Sequence, residues 1–525
     1  LAQSTASRQP KFPKRFLCNL NNYGNYGWNC RNYDTAIIPN SCTFAERKIK
    51  DLGTTERNNT DLLLSMIREG KAMTAGQQIW LTVQLSIPSI LAQFSSIAMQ
   101  YIDASMVGSL GAAPAASIGL MSTTTWLFGG LCSAAATGFS VQVAHAIGAG
   151  DIRHARNVLR QSIVSVLIFG CMLAAIGVGI SGHLPGWLGG DPAIRSDASI
   201  YFFIYSLFLP VLQMNFLAGS MLRCSGNMRI PSALNVLMCI LDVIFNYFLI
   251  FGTRQVSLFD MEINMPGAGL GVEGAILGTV LAETVTASLM TWYLCRRSPM
   301  LNLHQDSGSF LPRRATLKKA AYIGMPMGLE HSVICGAQIM STVIVAPLGI
   351  FSIAANSFAI TAESLCYMPG YGIADAATTL VGQSIGARRR QLTRRFAYIT
   401  VGMGMAIMGV MGVAMYLFAP QIIGIMTPVE EIRQLGVMAL RIEAFAEPMF
   451  AAAIVAYGVF VGAGSTIVPS IMNFFSIWAV RLTLAAWLAP TMGLKGVWIA
   501  MCIELCFRGT IFLIRLFRGR WLKLK

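Results

Sequence analysis

Charge is what this sequence has least of. Only 12% of its 525 residues are Asp, Glu, Lys or Arg, about half the share carried by an ordinary soluble domain. With 54% apolar residues and a mean hydropathy of +0.58, that deficit excludes a water-soluble enzyme or regulatory domain of this length. Histidine is scarce as well: there are five, and no His, Cys or carboxylate grouping has ligand spacing, which argues against a metal centre. The twelve cysteines make no disulfide framework. Cys18, Cys30 and Cys42 lie in a polar leader and the rest are scattered through apolar stretches, where Cys502 and Cys506, one helical turn apart, read as packing residues. The Gly-rich run Gly267 to Gly274 lacks a following Lys-Ser/Thr and follows no buried strand, so it reads as a turn into a span, not a phosphate cradle.

What the sequence does have is apolar runs of about 20 residues, the length of a bilayer-crossing helix. They fall near 78–104, 115–145, 160–182, 199–220, 232–252, 270–294, 322–346, 352–383, 397–419, 435–460, 470–489 and 495–516. The expected fold class is an all-α integral membrane protein with twelve transmembrane helices. The net charge of +15 would suit a nucleic-acid partner, but its placement decides otherwise. The even-numbered connections and the C-terminal tail hold about 21 Lys and Arg near span ends, and the odd-numbered ones about 4. Arg153, Arg156, Arg223, Arg229, Arg296, Arg297, Arg313, Arg314, Lys318, Lys319 and the cluster from Arg388 to Arg395 all fall on one side. This positive-inside asymmetry predicts a multi-pass protein of the cell inner membrane with both termini in the cytoplasm. Its partners are then lipid and small molecules, and no nucleic acid.

The chain is also duplicated. A shift of 238 positions pairs Val143 with Val381, Ile147-Gly148-Ala149 with Ile385-Gly386-Ala387, Arg156 with Arg394, and Leu110-Gly111 with Leu348-Gly349. It pairs Gly226 with Gly464 and Asn235 with Asn473, and the prolines match too: Pro88 with Pro326, Pro210 with Pro448, Pro231 with Pro469. Residues 1–75, polar and without an apolar run, read as a disordered N-terminal tail. Residues 76–302 form a first lobe of six spans and 303–525 a second, joined by the basic stretch Arg296 to Lys319. Two parallel six-span halves with a substrate path between them describe a transporter better than a receptor or a membrane enzyme.

A charge in mid-span costs about 2.5–3.5 kcal/mol even on lenient insertion scales, so each one that is kept is a functional candidate. These are Asp103, Asp242, Glu283, Glu330, Glu363, Asp375, Glu443, Glu447, Arg481, Glu504 and Arg508. Carboxylates outnumber cations, which suits a cavity that exchanges protons for cationic compounds. Asp103 lies near the outer end of span one, where simple interfacial solvation is the alternative to a role. Asp242 sits mid-span with no cation near it in sequence. Asn356, Glu363 and Tyr367 share a face of span eight, either as a substrate wall or as a helix–helix hydrogen-bond network, and Glu330 with Gln338 poses the same choice on span seven. Glu443 and Glu447 are a one-turn pair that serves substrate or is neutralised by Arg481; the ion pair is the expected outcome. Glu504 and Arg508, four apart, are expected to pair. His145 and His331 stand without the neighbours a catalytic centre needs, so no enzyme is expected.

Five stretches then acquire a common meaning: Ile102-Asp103-Ala104-Ser105-Met106-Val107-Gly108, the paired Ile-Gly-Ala ends at Gly148 and Gly386, Val345-Ala346-Pro347-Leu348-Gly349, Val381-Gly382-Gln383, and Gly462-Ala463-Gly464 with Pro469. As a set they resemble the multidrug and toxic compound extrusion (MATE) family over about residues 78–516, and its bacterial DinF-like branch more than the NorM-type branch. The resemblance implies a V-shaped secondary antiporter acting as a single chain. It would export amphipathic, often cationic drugs in exchange for H+ by alternating access, with Na+ coupling as the alternative and no cofactor beyond the coupling ion. It also implies that Asp103, Asp242 and Thr279 couple the ion and that Pro88 is the hinge of span one. Two positions depart from the pattern. Met238 stands where the branch has an Asn one turn before the span-five Asp, and Ile334 stands where NorM-type relatives have a Glu, the nearby carboxylate being Glu330. The rival reading, a lipid-linked-oligosaccharide flippase of the wider superfamily, calls for a cationic cavity; here two arginines face nine carboxylates within the spans.

Overall fold

A backbone in lipid has to satisfy its own N–H and C=O groups, so the apolar runs fold as helices. The computed structural model describes residues 59–258 and 261–522. The short helix α1 (59–68) comes first. The first half continues with α2 (Ala75–Gly108), α3 (Ala112–Gly148), α4 (Ile152–Ile180), the turn α5 (Leu184–Trp187), α6 (Pro192–Leu207), α7 (Leu209–Cys224), α8 (Arg229–Ile250) and α9 (Gly271–Trp292). Between α8 and α9 lies an antiparallel hairpin, β1 (Gly252–Leu258) and β2 (Met261–Ala268), a small departure from an all-helical chain. The second half holds α10 (Arg314–Val345), α11 (Ile350–Gly386), α12 (Arg390–Met426), α13 (Glu430–Glu443), α14 (Glu447–Gly462), α15 (Ile467–Phe475), α16 (Thr483–Met492) and α17 (Leu494–Arg518).

Among the described residues, nine spans are single or continuous helices, α15 and α16 being joined by a π-helical turn, Ser476–Leu482. Two more are bent pairs, α6–α7 at 50° and α13–α14 at 60°. The twelfth is α11, 37 residues long and more polar because it carries Asn356, Glu363 and Asp375. The repeat explains where the bends fall. Pro210 and Pro448, 238 apart, each sit at the start of the second helix of a bent pair, where the missing proline N–H leaves no hydrogen bond unmade. Pro88 and Pro326 lie inside α2 and α10.

The halves meet through small residues, as helices in lipid do when backbones approach closely. A methyl group on Gly324 of α10 would lie 2.7 Å from the Ala134 carbonyl oxygen of α3, and one on Gly372 of α11 would lie 2.7 Å from the Ile90 nitrogen of α2. Ala134 and Gly372 are repeat partners, so these are two copies of one crossing. At the face that carries the arginines, α3 and α11 cross again. A methyl on Gly148 would stand 2.7 Å from the Gln383 carbonyl carbon, and one on Gly386 2.8 Å from that of His145. There His145 Nε2 donates to the Gly462 carbonyl at 2.8 Å and Gln383 Nε2 to the Cys224 carbonyl at 2.9 Å. Donors and acceptors are both 238 apart, so this is the same hydrogen bond made twice across a pseudo-twofold axis.

Some of the basic residues have structural partners. Arg156 donates to Asp306 and Gln305, both at 2.5 Å, and to the Met300 carbonyl at 2.9 Å, while Arg160 donates to the carbonyls of Leu303 and Asp306. The stretch joining the halves is thereby clamped to α4, and the hydrogen bond from Arg156 holds the Asp306 carboxyl below its ordinary pKa.

The disordered tail expected over 1–75 needs correcting at its end. Residues 1–58 lie outside the described residues, but 59–68 are helical and packed. Leu63, Leu64 and Ile67 are buried, as is Met73 beyond the helix. They join Leu81 and Leu85 of α2, Met228, Ala376 and Leu380 of α11, and Leu392 and Phe396 of α12. Arg389 also donates to the Met66 carbonyl at 2.9 Å. Helix α1 therefore packs on both halves at the basic face; its apolar run is simply too short to read as a span. Replacing Ile67, 0% exposed, by Ala should cost about 2–4 kcal/mol and lower the thermal unfolding midpoint of the purified protein in detergent. The matched change at Leu62, 57% exposed, should leave the midpoint unchanged.

Candidate functional site

The first-half site is built on the α8–α9 seam. Gly274 and Gly278, one turn apart on α9, let α8 come close: methyl groups there would lie 2.6 Å from the Leu249 carbonyl carbon and 2.9 Å from the Asn246 nitrogen. On the facing side of α8, Asp242 is wholly buried and Asn246 follows one turn later. Helix α2 supplies Asp103, partly exposed near its outer end. One amide joins the three, Asn246 Nδ2 donating to Asp103 Oδ1 at 3.0 Å and to Asp242 Oδ2 at 3.1 Å. Thr279, the residue after Gly278 on α9, donates its hydroxyl to the Ala275 carbonyl at 3.1 Å. Glu283 of α9 and Tyr201 of α6 stand around the pair. Two oxygens, Asp242 Oδ1 and Asn246 Oδ1, find no hydrogen-bond partner among the described residues. Such an arrangement can hold one proton as an acid–carboxylate pair, or a small cation on its free oxygens.

The second-half residues do not form a single site. Glu330 of α10 accepts from Tyr457 at 2.6 Å, Ser470 at 2.7 Å and Asn473 at 2.5 Å, which ties α10 to α14 and α15. Gln338, two turns further along, is exposed, so the shared face expected of the two is not a shared environment. Asn356 Oδ1 accepts from Trp498 of α17 at 3.1 Å, the network reading of that residue. Glu363 is buried, and Tyr367, one turn on, packs against the rings of Tyr371 and Phe450.

Glu443 and Glu447 are wholly buried, and none of their four oxygens has a hydrogen-bond partner among the described residues. The expected ion pair with Arg481 does not form. Arg481 lies in the π-helical turn Ser476–Leu482, which shifts the face it presents, and its Nη2 rests 2.6 Å from Met501 Sδ. Glu504 and Arg508 do pair, at 3.1 Å, with Ser476 donating to Glu504 at 2.6 Å. Asp375 faces Arg223 of the first half at 3.8 Å. Pro88 lies inside α2, between the α1 contacts and Asp103.

Sequence reasoning brought Asp103, Asp242 and Thr279 into one site but passed over Asn246 and Gly278. The i, i+4 spacing of Asp242 and Asn246 was the available signal. The partners of Glu330 had none, because they come from other spans.

A family model described as MatE matches residues 88–248 and 326–487, one segment in each half. A probable multidrug resistance protein NorM of Thermotoga maritima is 26% identical over 451 residues, spanning 84% of this chain and 92% of the relative. The multidrug resistance protein MdtK of Yersinia pestis is 24% identical over 458 residues, 84% of this chain and 94% of its own. Among solved structures, the Vibrio cholerae MATE transporter VcmN matches with a TM-score of 0.77 at 18% identity, covering 85% of this chain and 99% of that one. A transporter of the MOP superfamily from Pyrococcus furiosus, described as having a binding pocket of reverse polarity, matches at 0.78 with 21% identity over 88% and 98%.

The geometry separates structural from unpaired carboxylates. Glu330→Ala would strand three donors and should cost about 3–5 kcal/mol. Glu447→Gln, which breaks no hydrogen bond among the described residues, should stay within about 1 kcal/mol of the parent. Thermal unfolding of both variants in detergent checks the contrast.

Proposed function

The chain belongs to the MATE family of efflux transporters, and from that premise we propose that it exports amphipathic, cationic compounds in exchange for protons. The pair formed by Asp103 and Asp242 carries the proton. The observation behind this reading is that two intramembrane carboxyl groups from different helices accept from one neutral amide, with no cation bonded to either among the described residues. Two such groups in a region of low dielectric repel when both are ionised. One proton relieves the repulsion, and losing it to the other side of the membrane closes the exchange.

By the positive-inside rule the basic face and the termini lie in the cytoplasm of an inner-membrane protein. The reciprocal His145 and Gln383 bonds then tie the two halves together at the cytoplasmic side. Alternating access requires breaking them and α1's bridge, about the hinge at Pro88. On the substrate side, Glu363, Tyr367, Glu443 and Glu447 offer carboxylates and rings to an organic cation; Glu330 and Asn356 are held by other partners and Gln338 is exposed, so they stand outside this proposal. One chain holds both halves, so a monomer suffices, and the coupling ion is the only small ion the cycle needs.

A second reading is Na+ in place of H+. The free oxygens of Asp242 and Asn246 favour it, since Na+ needs oxygen ligands where a proton needs only one. The flippase reading is disfavoured by the excess of intramembrane carboxylates over arginines.

Reconstituted protein should drive ethidium efflux under an imposed pH gradient, and Asp103→Asn should reduce it to background. Efflux that follows a Na+ gradient instead selects the second reading. No efflux under either gradient sinks the multidrug proposal.

A further inference from the structure

The face opposite the basic one holds few cations, and two of them meet in one groove of the second half. Helices α12, α13 and α17 leave about 550 Å³ between them there, with Tyr416, Arg441, Phe445, Lys495, Ile499 and Ile503 in its walls. We propose that this groove binds an anionic phospholipid of the leaflet opposite the basic face. The headgroup phosphate lies between Arg441 and Lys495, and an acyl chain runs along Phe445 and Ile503.

The groove has a polar mouth and an apolar floor. Lys495 is in the first turn of α17, and Ile503 follows two turns later, about 12 Å further along the helix. The Arg441 guanidinium stands 5.3 Å from the centre of the Tyr416 ring, and that ring meets Phe445 edge-on at 5.7 Å. Arg441 and Lys495 are exposed, as are Phe445 at 71% and Ile503 at 46%. Helix α13 is half of a bent span, so these side chains face lipid and not a neighbouring helix.

An arginine kept in a span carries a cost that an anion has to offset. Arg508 has Glu504 at 3.1 Å, and Arg433, two turns before Arg441, has Glu430 at 3.6 Å. Among the described residues Arg441 has an aromatic ring and no carboxylate, and Lys495 has no carboxylate either. Glu443 cannot answer them. It is wholly buried, and two residues along a helix place it on the opposite face of α13.

A phosphate diester fits this pair, its oxygens accepting from the planar fork of arginine while the lysine ammonium acts as a second point charge. Two unpaired cations do not suit the organic cations of the proposed function, so the groove is not read as a drug entrance. The apolar floor calls for more than an inorganic anion. A lipid supplies both parts in one molecule.

The test titrates the full-length protein in detergent with phosphatidylglycerol or phosphatidylcholine and counts bound lipid by native mass spectrometry. Phosphatidylglycerol should bind more tightly. Arg441→Gln and Lys495→Gln should each weaken it about fivefold, the weight of one cation near a bilayer surface. Arg433→Gln, outside the groove, should leave it unchanged. Phosphatidylglycerol with a photoreactive acyl chain should label the wild type around Phe445 and Ile503, a readout that stands even where a variant does not fold.

Equal affinity for the two lipids overturns the proposal, as do variants that bind phosphatidylglycerol as tightly as the parent. Label confined to other helices does the same. Displacement of the lipid by an equal concentration of inorganic phosphate would make this a site for a free anion. A dimer mass with the groove protected from label would assign the face to a second copy of the chain.

Discussion

The two halves of this protein are held at the basic face by a hydrogen bond that the chain makes twice. His145 of α3 reaches the carbonyl of Gly462, and Gln383 of α11, its repeat partner, reaches the carbonyl of Cys224, the repeat partner of Gly462. Neither bond forms unless the helix ends come within backbone contact, and Gly148 and Gly386 are what permit that approach. The constraint is mutual: a displacement that lengthens one bond acts on its symmetry mate through the same pair of helices. The Arg223–Asp375 contact at 3.8 Å and the bridge by α1 are laid over this crossing. The sequence stretch most clearly repeated between the halves is thus the stretch at which the halves touch.

The duplication conserved a scaffold and let the chemistry diverge. Helix breaks, prolines and close crossings recur at the 238-residue offset, but the intramembrane carboxylates do not. The positions matching Asp103, Asp242 and Asn246 are Ser341, Val480 and Leu484, and those matching Glu363 and Glu443 are Thr125 and Tyr205. Each half therefore carries a different polar interior on a shared frame. The first half keeps a carboxylate pair joined by one amide. The second half surrounds Glu330 with three donors and leaves Glu443 and Glu447 with none. A buried carboxylate given three hydrogen bonds is a fixed part of the packing. One given none is stable only where something else supplies a proton or a positive charge, which is the property a cation exporter requires of its cavity.

Most of the architecture could be read from the chain because lipid narrows the choices. Apolar length gives a span, and a constant offset gives the repeat. The same reasoning failed where the signal was short or came from another helix. Residues 59–68 carry too few apolar positions to resemble a span, and their burial depends on Met228, Leu392 and Phe396, far along the chain. The pairing expected of Arg481 depends on which way its helix turns it toward another span, and the chain runs through a π-helical turn there. Asp103, Asp242 and Thr279 are named together by the resemblance. That Asn246 joins the first two depends on the depth to which α9 lets α8 approach, and so on Gly274 and Gly278, whose meaning appears only once both helices are in place.

These observations give α2 a particular standing. Its first turns, through Leu81 and Leu85, are packed with α1 and with α11 and α12 of the second half. Its last turns are tied through Asp103 to α8 of the first half. Pro88 lies between these anchors, at a point where the backbone ladder is already missing a bond and bending costs less than elsewhere in the helix. In the proposed cycle, a proton arriving at the carboxylate pair changes what holds the outer end while the inner end keeps its apolar contacts. The difference falls on the segment that contains Pro88. A local change of hydrogen bonding can thus reach the crossing of α3 and α11 through one helix anchored in both halves, without a continuous chain of polar contacts between the two sites.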